Sequence, residues 1–290
     1  MRCHVAVSGF IAAAVLSTSV RAADMAPPPV LRGALPVTEQ GQDWSGFYVG
    51  GFGGFNQMEF EPRNAASGLI REMLRPNNVL ITLGRADDIT LQKRTTSNAI
   101  GYGVYMGYNW MMDDYVVGLE ADYTRSKLNG TSNGGRNASF KDPSAAAIPN
   151  NEYTYSVTAS SAIKVTEYGT IRARMGVPFG SLMPYVTAGA AWGRLSFGNS
   201  ATLNGTVATG APNGTGTATI YGPPIAFAPY SLKDGARTRF AFGYALGAGI
   251  DWALTQNIVL RGEVMHVRFG NAGDTTASIN TARAGAALKF

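Results

Sequence analysis

The sequence is poor in the residues that crosslink chains or carry most catalytic and metal chemistry. Its 290 residues include one cysteine, Cys3, and two histidines, His4 and His266. A single cysteine excludes an internal disulfide. No set of His, Cys and carboxylate residues has the spacing of a metal site. After residue 22, no apolar run approaches the roughly 20 residues that a transmembrane helix needs.

The first 22 residues have the pattern of a secretory signal peptide. Arg2 precedes an apolar run from residue 5 to residue 16, and Ala22 supplies a small residue for the cleavage site. We therefore predict a signal peptide over 1–22 that is removed after Ala22. Cys3 precedes the apolar run, whereas the cysteine of a lipoprotein would follow it. A secreted chain with no thiol and no helical span is either a soluble β protein or a β-barrel.

The charge balance is mildly basic and evenly spread. Removing Arg2 and Arg21 with the signal lowers Lys+Arg from 24 to 22 against 19 Asp+Glu, so the net charge falls from +5 to +3. Nucleic-acid binding proteins carry stronger and more clustered positive charge. We therefore predict no nucleic-acid partner.

The segment 23–43 differs from the rest of the chain. It has three consecutive prolines from Pro27 and no hydrophobic periodicity. Such a composition is typical of an extended tether, and we predict a Pro-rich periplasmic leader that is either disordered or has a docking role. The remaining residues, 44–290, contain no second composition zone large enough for another core, so they are predicted to form one domain.

The last ten residues alternate in character with a period of two. The even positions from Ala282 to Phe290 are apolar, whereas Arg283, Gly285 and Lys289 are small or charged. This is the pattern of a strand with one face towards hydrocarbon and the other towards water.

Seven further segments have the composition of strands. The eight predicted strands lie near 44–58, 98–111, 115–128, 162–177, 183–198, 237–252, 257–269 and 278–290. Tight turns at 112–114, 178–182 and 253–256 alternate with long polar connections at 59–97, 129–161 and 199–236 and a shorter one at 270–277. An even number of strands with alternating short and long connections is typical of an outer-membrane barrel with periplasmic termini.

The first long connection contains two apolar stretches. Residues 69–74 are predicted to form one or two turns of amphipathic helix, and residues 79–83 to extend the hairpin beyond the membrane. For both, local packing is a better explanation than a ligand site.

The strand faces indicate a membrane wall. In the second predicted strand the outward row would be Ile100, Tyr102, Val104, Met106, Tyr108 and Trp110. In the sixth it would be Phe240, Phe242, Tyr244, Leu246, Ala248, Ile250 and Trp252. Three tryptophans, Trp44, Trp110 and Trp252, fall near the predicted short turns, and we interpret them as an aromatic girdle at one membrane boundary.

Charged residues occupy the opposite, inward faces. Those predicted to face the lumen are Glu120, Asp122, Arg172, Arg174, Arg261, Glu263, Arg283 and Lys289. The interior of an eight-stranded barrel is just wide enough for side chains to fill. The first six are therefore predicted to form a paired charge network, the alternative being separate hydration of each charge in a narrow wet lumen.

The start and end of this domain resemble a known group. The Pro-rich leader, the motif from Trp44 to Gly50 and the closing strand with terminal Phe290 are similar to the outer-membrane immunogenic proteins of alphaproteobacteria. These are porin-like small barrels related to the membrane domain of OmpA. The resemblance implies that the barrel-assembly machinery reads Phe290 and that paired charges plug the lumen.

His266 is the one histidine that remains after removal of the signal. It lies on the predicted outward row near the external rim, where an outer-membrane lipid A deacylase would hold its base. That enzyme class has a serine two residues later, and here the position is Arg268. We interpret both residues as rim residues that face lipid headgroups, and we predict no enzymatic activity and no cofactor.

The sequence therefore predicts an all-β, eight-stranded antiparallel up-and-down transmembrane barrel with long extracellular loops, in the cell outer membrane. The predicted role is structural, in envelope integrity. The alternatives are a narrow diffusion pore and a loop-based binder of a host or small-molecule ligand; a soluble lipocalin-like barrel is a more remote one. The expected partners are outer-membrane lipid, lipopolysaccharide and the barrel-assembly machinery, and the expected state is a monomer or weak homo-oligomer.

Overall fold

A computed structural model describes residues 42–62, 66–75, 79–87, 93–142, 151–212, 214, 219–270 and 275–290. The predicted signal peptide and almost all of the predicted leader lie outside these residues.

The described chain is built mainly from strands. In chain order the elements are β1 (Gly46–Pro62), α1 (Ser67–Met73), α2 (Val79–Thr82), β2 (Thr95–Met112), β3 (Tyr115–Asp142), β4 (Asn151–Gly176), β5 (Leu182–Ala208), β6 (Gly210–Pro212), β7 (Thr219–Tyr221), β8 (Ile225–Ala253), β9 (Ile258–Phe269) and β10 (Thr275–Lys289). No helix in this part of the chain is long and apolar enough to cross a membrane.

Eight of these strands close into one barrel. The order around the wall is β1, β10, β9, β8, β5, β4, β3, β2, and all neighbours are antiparallel. The closing pair joins the two ends of the domain, with Val49 opposite Leu288 and Phe55 opposite Ala282. The small strands β6 and β7 pair with each other. The predicted eight-stranded antiparallel barrel is confirmed.

The three tight turns lie where the sequence places them. β2 and β3 are joined at 113–114, β4 and β5 at 177–181, and β8 and β9 at 254–257. Asp113 has a φ of 46°, in the left-handed region that Asp enters more readily than most residues. The two chain ends of the barrel lie at the same end as these turns, which is the periplasmic end in outer-membrane barrels.

The wall has the predicted apolar exterior. On β2, Ile100 is 72% exposed and Tyr102 is 63% exposed, whereas Tyr105, which has the opposite parity in the strand, is buried. On β8, Phe240 and Phe242 are exposed, and Ala241 and Ala245 are buried. The outward rows of both strands are confirmed.

The long connections are shorter than predicted, and the predicted loops 129–161 and 199–236 are largely wrong. β3 continues to Asp142, β4 begins at Asn151, and β8 begins at Ile225. β3 is paired with β2 only as far as Ser126, and β8 is paired with β9 only from Gly243 onward. Beyond these points β3, β4, β5 and β8 form a four-stranded extracellular sheet. Its outer face meets water, so these segments lack the lipid-facing apolar row on which the strand predictions depended.

The first connection packs onto the inner face of this sheet. Helix α1 confirms the predicted helical turn at 69–74. Residues 79–82 form helix α2, so the predicted extension of the hairpin there is wrong. Leu80 is fully buried against the same apolar cluster as Ile70 and Tyr155. This packing overrides the β preference of the Val, Ile and Thr residues in the segment.

Candidate functional site: the charged barrel lumen

A group of eight charged side chains crosses the lumen above the periplasmic end. It comprises four acids and four arginines, and we name it the lumen charge cluster: Glu120, Asp122, Arg172, Arg174, Asp251, Arg261, Glu263 and Arg283. The formal charges cancel, and each side chain is 0–3% exposed.

Arg172 joins three of the four acids. Its Nη2 lies 2.6 Å from Glu120 Oε1 and 2.9 Å from Asp122 Oδ2. Its Nη1 contacts Glu263 Oε1 and donates a hydrogen bond of 2.9 Å to Thr187 Oγ1. The planar guanidinium suits this position because its donors can reach several carboxylates at once.

The fourth acid, Asp251, holds the other side of the cluster. Arg261 binds it with two atoms, Nε to Oδ1 at 2.8 Å and Nη2 to Oδ2 at 3.0 Å. Arg174 Nη2 lies 2.7 Å from Asp251 Oδ2. Arg261 Nη1 also contacts Glu120, which links this group to the ion pairs of Arg172.

Arg283 completes the cluster from β10. Its Nη2 lies 2.9 Å from Glu263 Oε1 and 3.2 Å from Asp122 Oδ2. Every acid of the cluster therefore contacts at least two arginines. The arrangement neutralises the buried carboxylates, because each of them contacts two or more arginines.

Two tyrosines and one threonine add hydrogen bonds to three of the four carboxylates. Tyr48 donates to Glu120 Oε2 at 2.9 Å, Tyr185 donates to Glu263 Oε2 at 2.8 Å, and Thr170 donates to Asp122 Oδ2 at 2.6 Å. Arginine planes also stack on rings, with Arg174 4.1 Å from the centre of Tyr185 and Arg261 4.3 Å from that of Tyr105. Cation–π contacts of this kind strengthen when the groups are shielded from water.

Strand register explains why these side chains meet. Opposite positions on neighbouring strands pair Glu120 with Arg172, Asp251 with Arg261 and Arg283 with Glu263. Residues opposite each other in an antiparallel pair lie within about 5.5 Å, close enough for ion pairing. Inward glycines make room for the rings, since a Cβ on Gly249 would lie 2.6 Å from the Tyr185 hydroxyl.

The structure brings together all six residues that were predicted to form a network. Arg283, predicted only to face the lumen, also belongs to the cluster. Lys289 does not belong to it: its Nζ donates to the backbone oxygens of Asp43 and Ser45 at the periplasmic end. Asp251 was missed because it stands alone among small residues, although its alternation with Trp252 placed it on the inward row.

Apolar layers lie on both sides of the lumen charge cluster. The lower layer, named here the lumen floor, consists of Trp44, Val116, Met183, Ala253 and Val259. The upper layer contains larger side chains such as Met58, Phe60, Leu128 and Phe269. The charged layer is therefore enclosed between apolar layers within the barrel.

The interpretation of Trp44 as a girdle residue is wrong. Its side chain is 1% exposed and packs in the lumen floor, whereas Trp110 and Trp252 face outward with 45% and 48% exposed. Trp44 precedes the first residue of β1, Gly46, whose φ of 120° is available mainly to glycine. The chain therefore turns into the barrel before the alternation of the strand begins.

The remaining predicted positions lie outside the lumen. Phe290 is 71% exposed, its ring lies 6.2 Å from that of Phe47, and its backbone nitrogen donates to the oxygen of Phe47 at 2.8 Å. His266 is half-buried on the outward row and its Nδ1 lies 2.6 Å from Asn280 Oδ1. Arg268 is exposed on the same row. Within the described ranges, no group of three His, Cys, Asp or Glu side chains could hold a metal ion.

Known proteins similar to this chain include bacterial outer-membrane proteins. The sequence is 26% identical to the 31 kDa outer-membrane immunogenic protein of Brucella melitensis, over 96% of each chain. It is 23% identical to the 25 kDa outer-membrane immunogenic protein of Brucella ovis, over 60% of this chain and 57% of that one. The resemblance noted in the sequence is confirmed by these relatives.

Solved structures similar to this chain include two outer-membrane barrels. Neisserial surface protein A has a TM-score of 0.33 and 14% identity, over 85% of this chain and 98% of that one. OprG from Pseudomonas aeruginosa has a TM-score of 0.34 and 12% identity, over 85% and 96%. Because these scores are low, the fold assignment rests on the strand order and register.

The family described as outer membrane protein beta-barrel domain matches residues 10–290, nearly the whole chain. Together with the closed eight-stranded wall and its apolar exterior, this match shows that the chain is an outer-membrane protein and belongs to the outer membrane protein beta-barrel domain family.

Proposed function

We propose that this protein is a structural, surface-exposed component of the outer membrane that contributes to envelope integrity, and that its lumen is closed. The observation that carries the proposal is the lumen charge cluster, whose eight side chains are 0–3% exposed and pair with one another. Side chains of an eight-stranded barrel are large enough to fill its cross-section.

The apolar layers support the same proposal. A hydrated ion that entered from the periplasm would meet the lumen floor around Trp44 before it reached any charge. An ion from outside would meet the upper layer around Phe60 and Leu128. Moving an ion into apolar surroundings is costly, and the charges between the two layers already neutralise one another.

A solute-flux measurement tests this proposal. Liposomes that contain the purified barrel should swell no faster in small neutral sugars than liposomes without protein. Swelling that depends on sugar size and on the amount of protein would favour the diffusion pore. Comparing unheated with boiled samples on a gel verifies that the protein is folded, because a folded barrel resists detergent and migrates differently.

A second candidate function is favoured by the extracellular sheet. β3, β4, β5 and β8 are 26–29 residues long, whereas a tilted strand crosses a membrane with about 9–11 residues. The relatives are named immunogenic. A protruding sheet of this size offers a surface for a host molecule. Loss of host-molecule binding after the extracellular ends of β3, β4, β5 and β8 are shortened would support this role.

We also propose that the barrel-assembly machinery recognises Phe290. The exposed ring and its contact with Phe47 place an aromatic group on the outer wall at the seam between β1 and β10. A recognition factor would reach the closing strand at this seam.

A further inference from the structure

Four basic side chains and one carboxylate lie on three neighbouring strands of the outer wall of the barrel. We name this group the rim patch: Arg125 and Lys127 on β3, Lys164 and Glu167 on β4, and Arg194 on β5. All four cations are exposed, and Glu167 is half-buried. The formal charge of the rim patch is therefore +3.

Cross-strand register holds the rim patch together. Glu167 lies directly opposite Arg125 on one side and Arg194 on the other. Arg194 Nη1 is 3.8 Å from Glu167 Oε1, and Tyr123 donates to Glu167 Oε2 at 2.6 Å. The carboxylate thus lies between two arginines of the neighbouring strands.

The backbone is irregular at this position. The pairing of β3 with β4 shifts between Arg125 and Leu128, and the pairing of β4 with β5 shifts between Val165 and Glu167. Such bulges change the direction in which side chains point and are frequent beside functional sites. Lys127 follows Arg125 on the same exposed face of β3.

The rim patch lies at the external boundary of the membrane. The outward residues of β3 run from Tyr115 through Leu119 to Tyr123, and Arg125 is the next outward position. Ten residues of a strand at about 3.4 Å each, tilted by about 40°, rise about 26 Å, close to the height of the apolar band of outer-membrane barrels. On β5 the half-buried Trp192 precedes Arg194 in the same way. Aromatic residues mark the level of lipid headgroups.

We propose that the rim patch binds the phosphate groups of a multiply phosphorylated lipid of the outer leaflet, of the lipopolysaccharide type. Arginine and lysine bind phosphate through charge-assisted hydrogen bonds, and basic residues next to an apolar segment bind anionic headgroups. Tyr123 and Trp192 lie on the membrane side of the cations, where the acyl chains of the same lipid would pack. Because the rim patch lies beside these aromatic side chains, it favours a phosphorylated lipid over a free phosphate. Lipid binding at the rim patch does not depend on whether the lumen is closed.

Lipid enrichment around the folded barrel tests the proposal. The full chain is placed in phosphatidylcholine nanodiscs that contain a trace of bis-phosphorylated lipid A, and the lipid retained on the protein is measured by native mass spectrometry. The unmodified protein should retain this lipid in preference to dephosphorylated lipid A. Arg125→Gln combined with Arg194→Gln should reduce that preference about tenfold, which corresponds to about 1.4 kcal/mol.

Two single variants make the test specific. Glu167→Gln should increase retention, because it removes the one acid of the rim patch while keeping an acceptor for Tyr123. Arg71→Gln, which changes an exposed arginine of helix α1, should leave retention unchanged. Gel mobility before and after boiling verifies that each variant is folded.

Three outcomes would overturn the proposal. The first is equal retention of phosphorylated and dephosphorylated lipid A. The second is unchanged retention in the double variant, or a loss in Arg71→Gln as large as that in the double variant. The third is displacement of the lipid by inorganic phosphate at matched phosphate concentration, which would identify a site for free phosphate.

Discussion

Arg172 on β4 lies directly opposite Glu120 on β3, and the two fully buried side chains form an ion pair of 2.6 Å. The same guanidinium also contacts Asp122 and Glu263. Arg172 is therefore the cation that neutralises the largest number of acids within the lumen charge cluster. Losing it would leave three carboxylates with less compensation.

Replacing Arg172 by Ala should destabilise the barrel and open a path for ions. Removing one member of a buried pair costs at most about 3–5 kcal/mol in a dry interior. The variant should unfold at lower temperature and conduct more than the unmodified protein. Arg172→Lys should give a smaller effect because it keeps the charge but loses the planar fork. The measurements are thermal unfolding followed by heat-dependent gel mobility, and conductance in planar bilayers.

Arg237→Ala is a matched control for that variant. Arg237 forms an exposed ion pair of 3.1 Å with Asp234, and such pairs contribute about 0–1 kcal/mol. An equal loss of stability in Arg172→Ala and Arg237→Ala would show that the lumen charge cluster has no special role in stability.

Asp251→Asn should also weaken the cluster, although the sequence did not identify this residue as a member. The change removes the negative charge that Arg174 and Arg261 share, and the amide can no longer accept with both atoms from Arg261. We expect a lower unfolding temperature and a higher conductance than in Asp114→Asn, which alters an exposed turn residue. Identical behaviour of the two variants would contradict the assignment of Asp251 to the cluster.

Trp44→Ala should cost much more stability than Trp110→Ala. Trp44 is buried in the lumen floor, and truncating a buried tryptophan costs about 3–5 kcal/mol. Trp110 faces outward, and its loss leaves no cavity inside the barrel. Thermal unfolding of the two variants in the same detergent compares them directly. A larger effect at Trp110 would restore the girdle interpretation of Trp44.

Phe290→Asp should reduce the amount of assembled barrel while leaving export intact. A charge on the lipid face costs up to about 2–4 kcal/mol at the middle of the membrane and less for an acid near the boundary. Loss of recognition should therefore dominate. Phe290→Tyr keeps the aromatic ring and should assemble normally. The readout is the folded fraction in isolated outer membranes, and a normal level of Phe290→Asp would refute the proposed signal.

The wall of the barrel could be predicted because a strand in contact with lipid needs an uninterrupted row of apolar side chains on its outward face. The alternation from Ile100 to Trp110 is sufficient to identify β2, and the paired charges at Glu120 and Asp122 mark an inward face. The same reasoning failed for residues 129–142, since a sheet surrounded by water needs no apolar row.

Other features depend on contacts that a local pattern does not contain. The inward position of Trp44 follows from the backbone turn at Gly46, before strand alternation begins. The helical state of Val79–Thr82 follows from the packing of Leu80 against the extracellular sheet. The contact of Arg283 with both Asp122 and Glu263 requires closure of the barrel, which brings β10 towards β3 across the lumen.

The conductance of the unmodified protein tests the closed lumen most directly. Purified, heat-modifiable barrel is inserted into a planar bilayer, and current is recorded at a range of voltages and salt concentrations. The proposed function predicts little or no steady current, because paired charges and apolar layers fill the cross-section. A steady conductance that rises with salt, and whose ion selectivity alone changes in Arg172→Ala, would show that the charges line an open channel and that the protein is a diffusion pore.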